Sequence, residues 1–306
     1  MLSFRSKISV TVLITSILGC EGNTDSKRSK PGQQLSSQQE SGRSKMDPSE
    51  LSTIKAEKRN AFGYAKISSR KEDVYYEGIV DESGEQIVPL STRLLVNEIT
   101  GKLALIQFER KFLFVPLDGG FFTEEDLAGV NGFQYAQPHR CGLAMVCVND
   151  SWFYINSDCQ RAFDANFEFA ESFHQDRALV MSEGKHRIIG TNGNTIADLN
   201  YDQVSPQSEW CWQVSNKVNE KYKSGFIDLD GKQITDLDFD DVGYYDPEVK
   251  RIWVRKDRRY GFLDEYAKTA IPLKYDFAEV FNHGKAKVLL DGRTFFIDPN
   301  GIEVPE

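Results

Sequence analysis

The sequence predicts an all-β fold of seven repeated antiparallel meanders, on three observations. The first is composition: 20 Phe, 12 Tyr and 4 Trp bring aromatics to 12% of 306 residues, and such side chains suit a pleated, half-buried surface. The second is a recurring pair of apolar residues one position apart: Ala65/Ile67, Ala104/Ile106, Ala144/Val146, Ala178/Val180, Trp212/Val214, Ile252/Val254 and Ala286/Val288. Their first members stand 39, 40, 34, 34, 40 and 34 residues apart. The third is a second apolar run after each pair, closed by a turn residue: Gly84, Gly119, Cys159, Gly193, Gly231, Ala267 and Gly301. The closing residue lies 15 positions after the pair in five repeats and 19 in the two that begin at Ala65 and Trp212. That difference is one four-residue extension, expected at the hairpin tip, where insertions are tolerated.

The chain opens with Arg5 and Lys7, then an uncharged apolar run from Ile8 to Leu18. Eleven residues span about half of a ~30 Å hydrocarbon core, so the run reads as the apolar part of a signal peptide over residues 1–19. Its end, Ile17-Leu18-Gly19-Cys20, resembles the lipobox of bacterial lipoproteins. The resemblance implies lipidation of Cys20 and cleavage before it. Several acyl chains anchor a protein stably where one binds only marginally.

Residues 20–60 are rich in Ser, Gln, Lys, Gly and Asp. Such a stretch cannot bury enough apolar surface to offset its ordering entropy and is expected to be a tether. It carries eight basic and six acidic residues on a chain whose formal charge is −9. An acidic body on a mildly basic leash suits a position held off anionic lipid, and the acidic balance argues against nucleic-acid binding. Within this stretch, Leu51 to Arg59 reads as a short helix.

The repeat domain is expected over residues 61–306, and its last unit shows the logic best. Tyr275 to Phe281 reads as a first strand, with Phe167 to Phe173 as its counterpart three units earlier. Ala286, Val288 and Leu290 then alternate with Lys285, Lys287 and Leu289, the period of a strand with one buried face. Asp291-Gly292 is a type I′ hairpin turn, Phe295 to Asp298 the return strand, and Ile302 to Val304 a fourth. An isolated meander is only marginally stable, so consecutive units must bury each other's faces. Units of this size fit the blades of a β-propeller, which is favoured, with an open β-solenoid of hairpins as the alternative.

Tyr260-Gly261-Phe262-Leu263-Asp264, Ile271-Pro272-Leu273-Lys274-Tyr275-Asp276 and Phe281-Asn282-His283-Gly284-Lys285-Ala286-Lys287-Val288 resemble the WG-containing (KWG) repeats of bacterial proteins. The likeness is best from Gly225 onward. The naming Trp-Gly dipeptide is replaced by Tyr260-Gly261, Ser224-Gly225 and Glu77-Gly78. The resemblance implies a repeat scaffold, in a family generally of unknown function, and brings no catalytic residues with it.

Export makes a disulfide chemically reasonable. If Val148 faces Trp152 across the turn at Asn149-Asp150-Ser151, paired positions place Cys141 opposite Cys159, the candidate bridge. Cys147 and Cys211 are expected to be unpaired. His139, His174 and His283 each stand three to five residues before the pair of their unit, so their loops would share one edge as a candidate ligand face. His186 reads as a strand residue. The run Asp228-Leu229-Asp230-Gly231 lacks the full ligand spacing of a calcium loop, and Asp81, Asp118 and Asp298 occur in the same turns, where Asx-turn bonding accounts for them. Trp210 and Trp212, with Trp152 and Trp253, could form a sugar-stacking platform. Trp212 and Trp253 favour the core, whereas Tyr244 and Tyr245 are expected to be exposed. No metal site, cofactor motif or nucleophile-base-acid set stands out.

The functional expectation is a lipid-anchored, extracytoplasmic β-repeat protein, in the periplasm or at the cell surface, that binds or scaffolds without catalysis. Its expected partners are the membrane, through the anchor, and a protein, peptide or envelope glycan. The alternatives are an envelope hydrolase or lyase on a propeller face and a cell-wall glycan-binding protein.

Overall fold

A computed structural model describes residues 54–305. Among them, seven antiparallel sheets of three or four strands follow one another along the chain, each with its strands in sequence order. The first holds β1 (Lys55–Ala56), β2 (Ala65–Lys71), β3 (Val74–Val80) and β4 (Gln86–Ser91). The second holds β5 (Leu94–Thr100), β6 (Leu103–Phe108) and β7 (Lys111–Pro116), and the third β8 (Tyr135–Ala136), β9 (Leu143–Val148) and β10 (Ser151–Asn156). The fourth holds β11 (Phe169–Ala170), β12 (Arg177–Ser182), β13 (Lys185–Gly190) and β14 (Thr195–Leu199). The fifth comprises β15 (Gln203–Pro206), β16 (Cys211–Val218) and β17 (Lys221–Asp228). The sixth comprises β18 (Asp241–Asp246), β19 (Arg251–Lys256), β20 (Arg259–Leu263) and β21 (Thr269–Tyr275). The seventh comprises β22 (Phe277–Ala278), β23 (Ala286–Leu290), β24 (Arg293–Ile297) and β25 (Glu303–Val304).

Of the described residues, 54–164 form one compact unit, with the first three sheets, and 165–305 a second, with the other four. Strand periodicity builds the core of each. In β6, Ala104 and Ile106 join Ile79 and Val88 of the first sheet, while Leu105 between them joins Ala144 and Val146 of the third. In the second unit Leu179 and Ile188 meet Trp212 and Val214, Phe226 meets Ile252 and Val254, and Phe262 meets Ala286 and Val288. Ala65, Ala104, Ala144, Ala178 and Ala286 are all buried, so the recurring pair marks one buried face of each second strand.

One turn recurs with the same hydrogen bonds. Asp264 Oδ1 accepts from the Tyr266 and Lys268 amides, each at 2.9 Å, while Ala267 N donates to Asp264 O at 3.0 Å. Asp81, Asn156, Asp228 and Asp298 repeat this pattern. The residue three positions on then takes positive φ: Gly84 85°, Cys159 57°, Gly231 84°, Ala267 59° and Gly301 79°. These are the closing residues of the repeat. In the second sheet the Asp position is Pro116, which has neither the carboxylate nor the amide hydrogen the turn uses. A turn still forms at Leu117-Asp118, but without the Asx bonding expected of it, and Asp118 pairs with Lys102 at 3.2 Å. The chain runs on into α1 (Glu124–Gly129), whose Thr123 and Asp126 form a capping box.

The structure corrects several expectations. Lys55–Ala56 is a strand paired with Ser68 and Ile67, not part of a helix, so the first sheet begins inside the stretch read as tether. The apolar run Tyr275 to Phe281 is divided: Tyr275 closes β21, and only Phe277–Ala278 opens the next sheet. The four-residue extension does not enlarge a tip. Both long hairpins keep two-residue turns, Glu72-Asp73 and Asn219-Glu220. The extra residues lengthen the paired strands instead, which keeps each side chain on its own face. Residues 1–53, with the expected signal peptide, Cys20 and most of the tether, lie outside the described residues.

Candidate functional site

At one edge of the second unit, the segment entering each second strand reaches the Asx turn of the following sheet. Arg177 Nε lies 2.7 Å from Asp230 Oδ1, Ser208 Oγ donates to Glu265 O at 2.7 Å, and Arg251 Nε donates to Pro299 O at 2.8 Å. Three successive joints between sheets are thus clasped along the same edge.

The middle clasp carries an aromatic cluster. Ser208 Oγ also accepts the Trp210 amide at 3.1 Å, which fixes the loop before β16. Trp210 then packs on Tyr266, with ring centroids 5.5 Å apart and planes at 42°. Tyr266 is 44% exposed. Its neighbour Glu265 is held by Lys250 at 3.0 Å, with the Tyr245 phenol close enough to feel its charge. Burial, followed by the Glu265 charge, pushes the Tyr245 phenol up. The Gln207 amide nitrogen donates to Gly243 O, tying the same loop to β18. There the register shifts between Val242 and Tyr245, and the Trp253 indole occupies the space a side chain on Gly243 would need. The bulge leaves Tyr244 at 92% exposure, as expected, whereas Tyr245 is half-buried.

The three candidate histidines lie in corresponding loops but at three different positions. Their loops are aligned by the bridges Arg140↔Leu143, His174↔Arg177 and Asn282↔Lys285. His174 is a bridge residue, His139 precedes one, and His283 follows one in a tight turn at φ 48°. His139 Nε2 lies 3.0 Å from Asn156 O against the Phe114 ring, and its burial pushes its pKa down. His174 Nε2 lies 3.1 Å from Glu209 O, beside the Gln175 amide nitrogen at 3.2 Å. Of the three, His174 alone borders the aromatic cluster, and its ring holds the backbone of the loop that carries Trp210.

The Cys141–Cys159 bridge is not formed. The type I′ turn at Asn149-Asp150 pairs Ser151 with Val148 and Trp152 with Cys147, one residue out of the expected register. Cys141 is exposed, while Cys159 is a buried thiol on the third sheet's core whose pKa burial pushes up to about 12. Cys147 and Cys211 are buried thiols as well. Trp212 is buried in the core, and Trp253 packs on Tyr260. Trp152, in the first unit, packs on Tyr135, and the burial of Trp212 takes it out of any platform with Trp210. Asp228, the first acid of the calcium-like run, is occupied by its own turn.

Sequence reasoning found Trp210 and missed Tyr266 and Glu265. Both belong to the segment after Asp264 that matches the other closing turns, so the repeat alignment already placed them at this edge.

Residues 225–260 and 260–293 match the family described as WG containing repeat. No curated protein matches the chain. Among solved structures, a eukaryotic initiation factor is similar at 14% identity and TM-score 0.42, over 82% of this chain and 75% of that one. Hsv2 of Kluyveromyces lactis is similar at 9% identity and TM-score 0.39, over 80% and 89%.

Proposed function

We propose that this protein is a non-catalytic binding module, held outside the cytoplasm by lipid on Cys20, that engages its partner through the clasped edge of its second unit. The observation that carries the reading is the Trp210–Tyr266 pair with Tyr245, Lys250 and Glu265 beside it. Aromatic rings left at a surface, next to polar groups already held in place, are the usual makings of a recognition site. The sheets supply rigidity, and the WG containing repeats at residues 225–293 include the Asx turn that bears Glu265 and Tyr266. The anchor is supported by the lipobox-like run ending at Cys20 and the polar stretch after it.

Two measurements test this. Cells fed an alkyne-bearing fatty acid should label the full chain and retain it in membranes, while Cys20→Ser gives an unlabelled, soluble product. An unlabelled wild-type chain would end the anchoring idea. A photocrosslinking residue at position 266 should capture envelope material far better than one at position 72, on a hairpin tip. Equal capture at both positions would remove the binding edge.

A further inference from the structure

We infer that the Trp210–Tyr266 edge is a glycan-binding subsite, which takes a neutral hexose or N-acetylhexosamine unit of an oligosaccharide. This rests on the binding-module reading and adds the ligand's chemistry.

Three features favour sugar. First, the rings are tilted by 42° with centroids 5.5 Å apart, so they present two differently inclined faces at one edge. The axial C–H face of a pyranose packs on such rings, since the aromatic face is electron-rich and apolar. Second, Glu265 beside the rings is charge-compensated by Lys250, and the Tyr245 phenol stands next to it. Such a set offers fixed donors and acceptors to vicinal hydroxyls without demanding a charged ligand. Glu209, exposed on the same loop as Trp210, supplies a further acceptor. Third, β18 is bulged between Val242 and Tyr245, and a bulged edge is a poor template for an added peptide strand. A cationic peptide, the other partner that aromatic and acidic groups attract, would meet a Glu265 already neutralised by Lys250, with Glu209 as its remaining acidic contact.

The test titrates the full-length chain with tetra-N-acetylchitotetraose, cellotetraose and a lysine-rich decapeptide, following tryptophan fluorescence and calorimetry. The expected result is saturable binding of at least one oligosaccharide with quenched emission. Trp210→Ala and Tyr266→Ala should each weaken it about tenfold, the weight of one lost aromatic contact. Trp210→Phe, which keeps a ring, should lose less, and Tyr245→Phe should weaken binding without altering the thermal midpoint. Unchanged melting of the Tyr266→Ala chain separates lost binding from lost folding. Binding of neither oligosaccharide, or equal affinity of wild type and Trp210→Ala, overturns the assignment. Preference for the decapeptide also overturns it. If crosslinking at position 266 persists while sugars fail, only the glycan assignment falls. If both fail, the module reading falls with it.

Discussion

Glu77 Oε2 accepts the Val96 amide at 2.7 Å, joining the first sheet to the first strand of the second. Lys66 completes the joint, 2.7 Å from Glu77 Oε1 and 3.3 Å from Val96 O. Glu77 stands where the repeat resemblance expects tryptophan. At the corresponding positions Phe112 packs on Tyr135 at 5.7 Å and Tyr260 on Phe277 at 5.6 Å, again reaching the next sheet's first strand. This position is therefore a staple between consecutive sheets, made by ring packing in two cases and by a half-buried ion pair in a third. Tyr260→Trp should leave the thermal midpoint nearly unchanged, because a larger ring still reaches Phe277. Tyr260→Ala should cost about 2–3 kcal/mol by denaturant titration, and Glu77→Ala about 1–2 kcal/mol, since it strands Lys66 and the Val96 amide. An unaffected Tyr260→Ala chain would refute the staple.

The glycine of the same dipeptide has a separate cause. A methyl on Gly261 would lie 2.7 Å from the Ile271 carbonyl oxygen, and one on Gly225 2.6 Å from that of Asp236. At Gly261 the crowding backbone is the bulged stretch of β21, the neighbouring strand of the same sheet, and at Gly225 it is the segment between β17 and β18. Gly225→Ala and Gly261→Ala should each destabilise by more than about 2 kcal/mol. Gly119→Ala, at a closing position without positive φ and with no atom nearer than 3.6 Å, should stay within about 0.5 kcal/mol. Equal effects in the three variants would disprove the crowding.

Much of this was legible beforehand. The Ala104/Ile106 type of pair identified one buried face of the second strand in each sheet, because period two is a property of the strand itself. The register at Asn149-Asp150 was not legible, since apolar residues on both faces of β9 left a one-residue slip undecided. That slip removed the expected disulfide. The helix at Glu124–Gly129 was also missed. It follows the one closing turn that Pro116 leaves without an Asx cap, a local exception that no average over repeats can show. The aromatic edge was half visible: Trp210 stood out by type, whereas Tyr266 acquires meaning only when two sheets are packed.

The Asx turns predict a difference between two substitutions of one residue. Asp264→Asn retains an oxygen for the Tyr266 and Lys268 amides, as Asn156 does naturally for Asp158 and Gln160. It should melt within a degree or two of wild type. Asp264→Ala leaves two amides without their acceptor and should cost about 1–2 kcal/mol. Ala267→Gly should be nearly neutral, because relief of a left-handed backbone worth ~1 kcal/mol is offset by a lost buried methyl worth ~0.8 kcal/mol. The backbone there is at φ 59° and the methyl is 1% exposed. A strongly stabilised glycine variant would mean the methyl contributes little to the sixth sheet's core.

Cys159 sets an alkaline limit on the first unit. Its thiol is pushed up to about 12 in the folded chain from an ordinary value near 9.0, chiefly by burial and then by the Asp158 charge. Above pH 9 the unfolded thiol loses its proton while the folded one keeps it, so the folded state binds more protons. Stability must then fall as pH rises from about 9 toward 12 and be unaffected by this group below 9. Midpoints of chemical unfolding between pH 8 and 10.5 should decline more steeply for wild type than for Cys159→Ala. Iodoacetamide at pH 8 should leave Cys159 unmodified in the folded chain and alkylate it in urea, as peptide mass mapping would show. Rapid labelling of folded Cys159, or parallel pH profiles for the two chains, would contradict a thiol kept protonated by the packing of the third sheet.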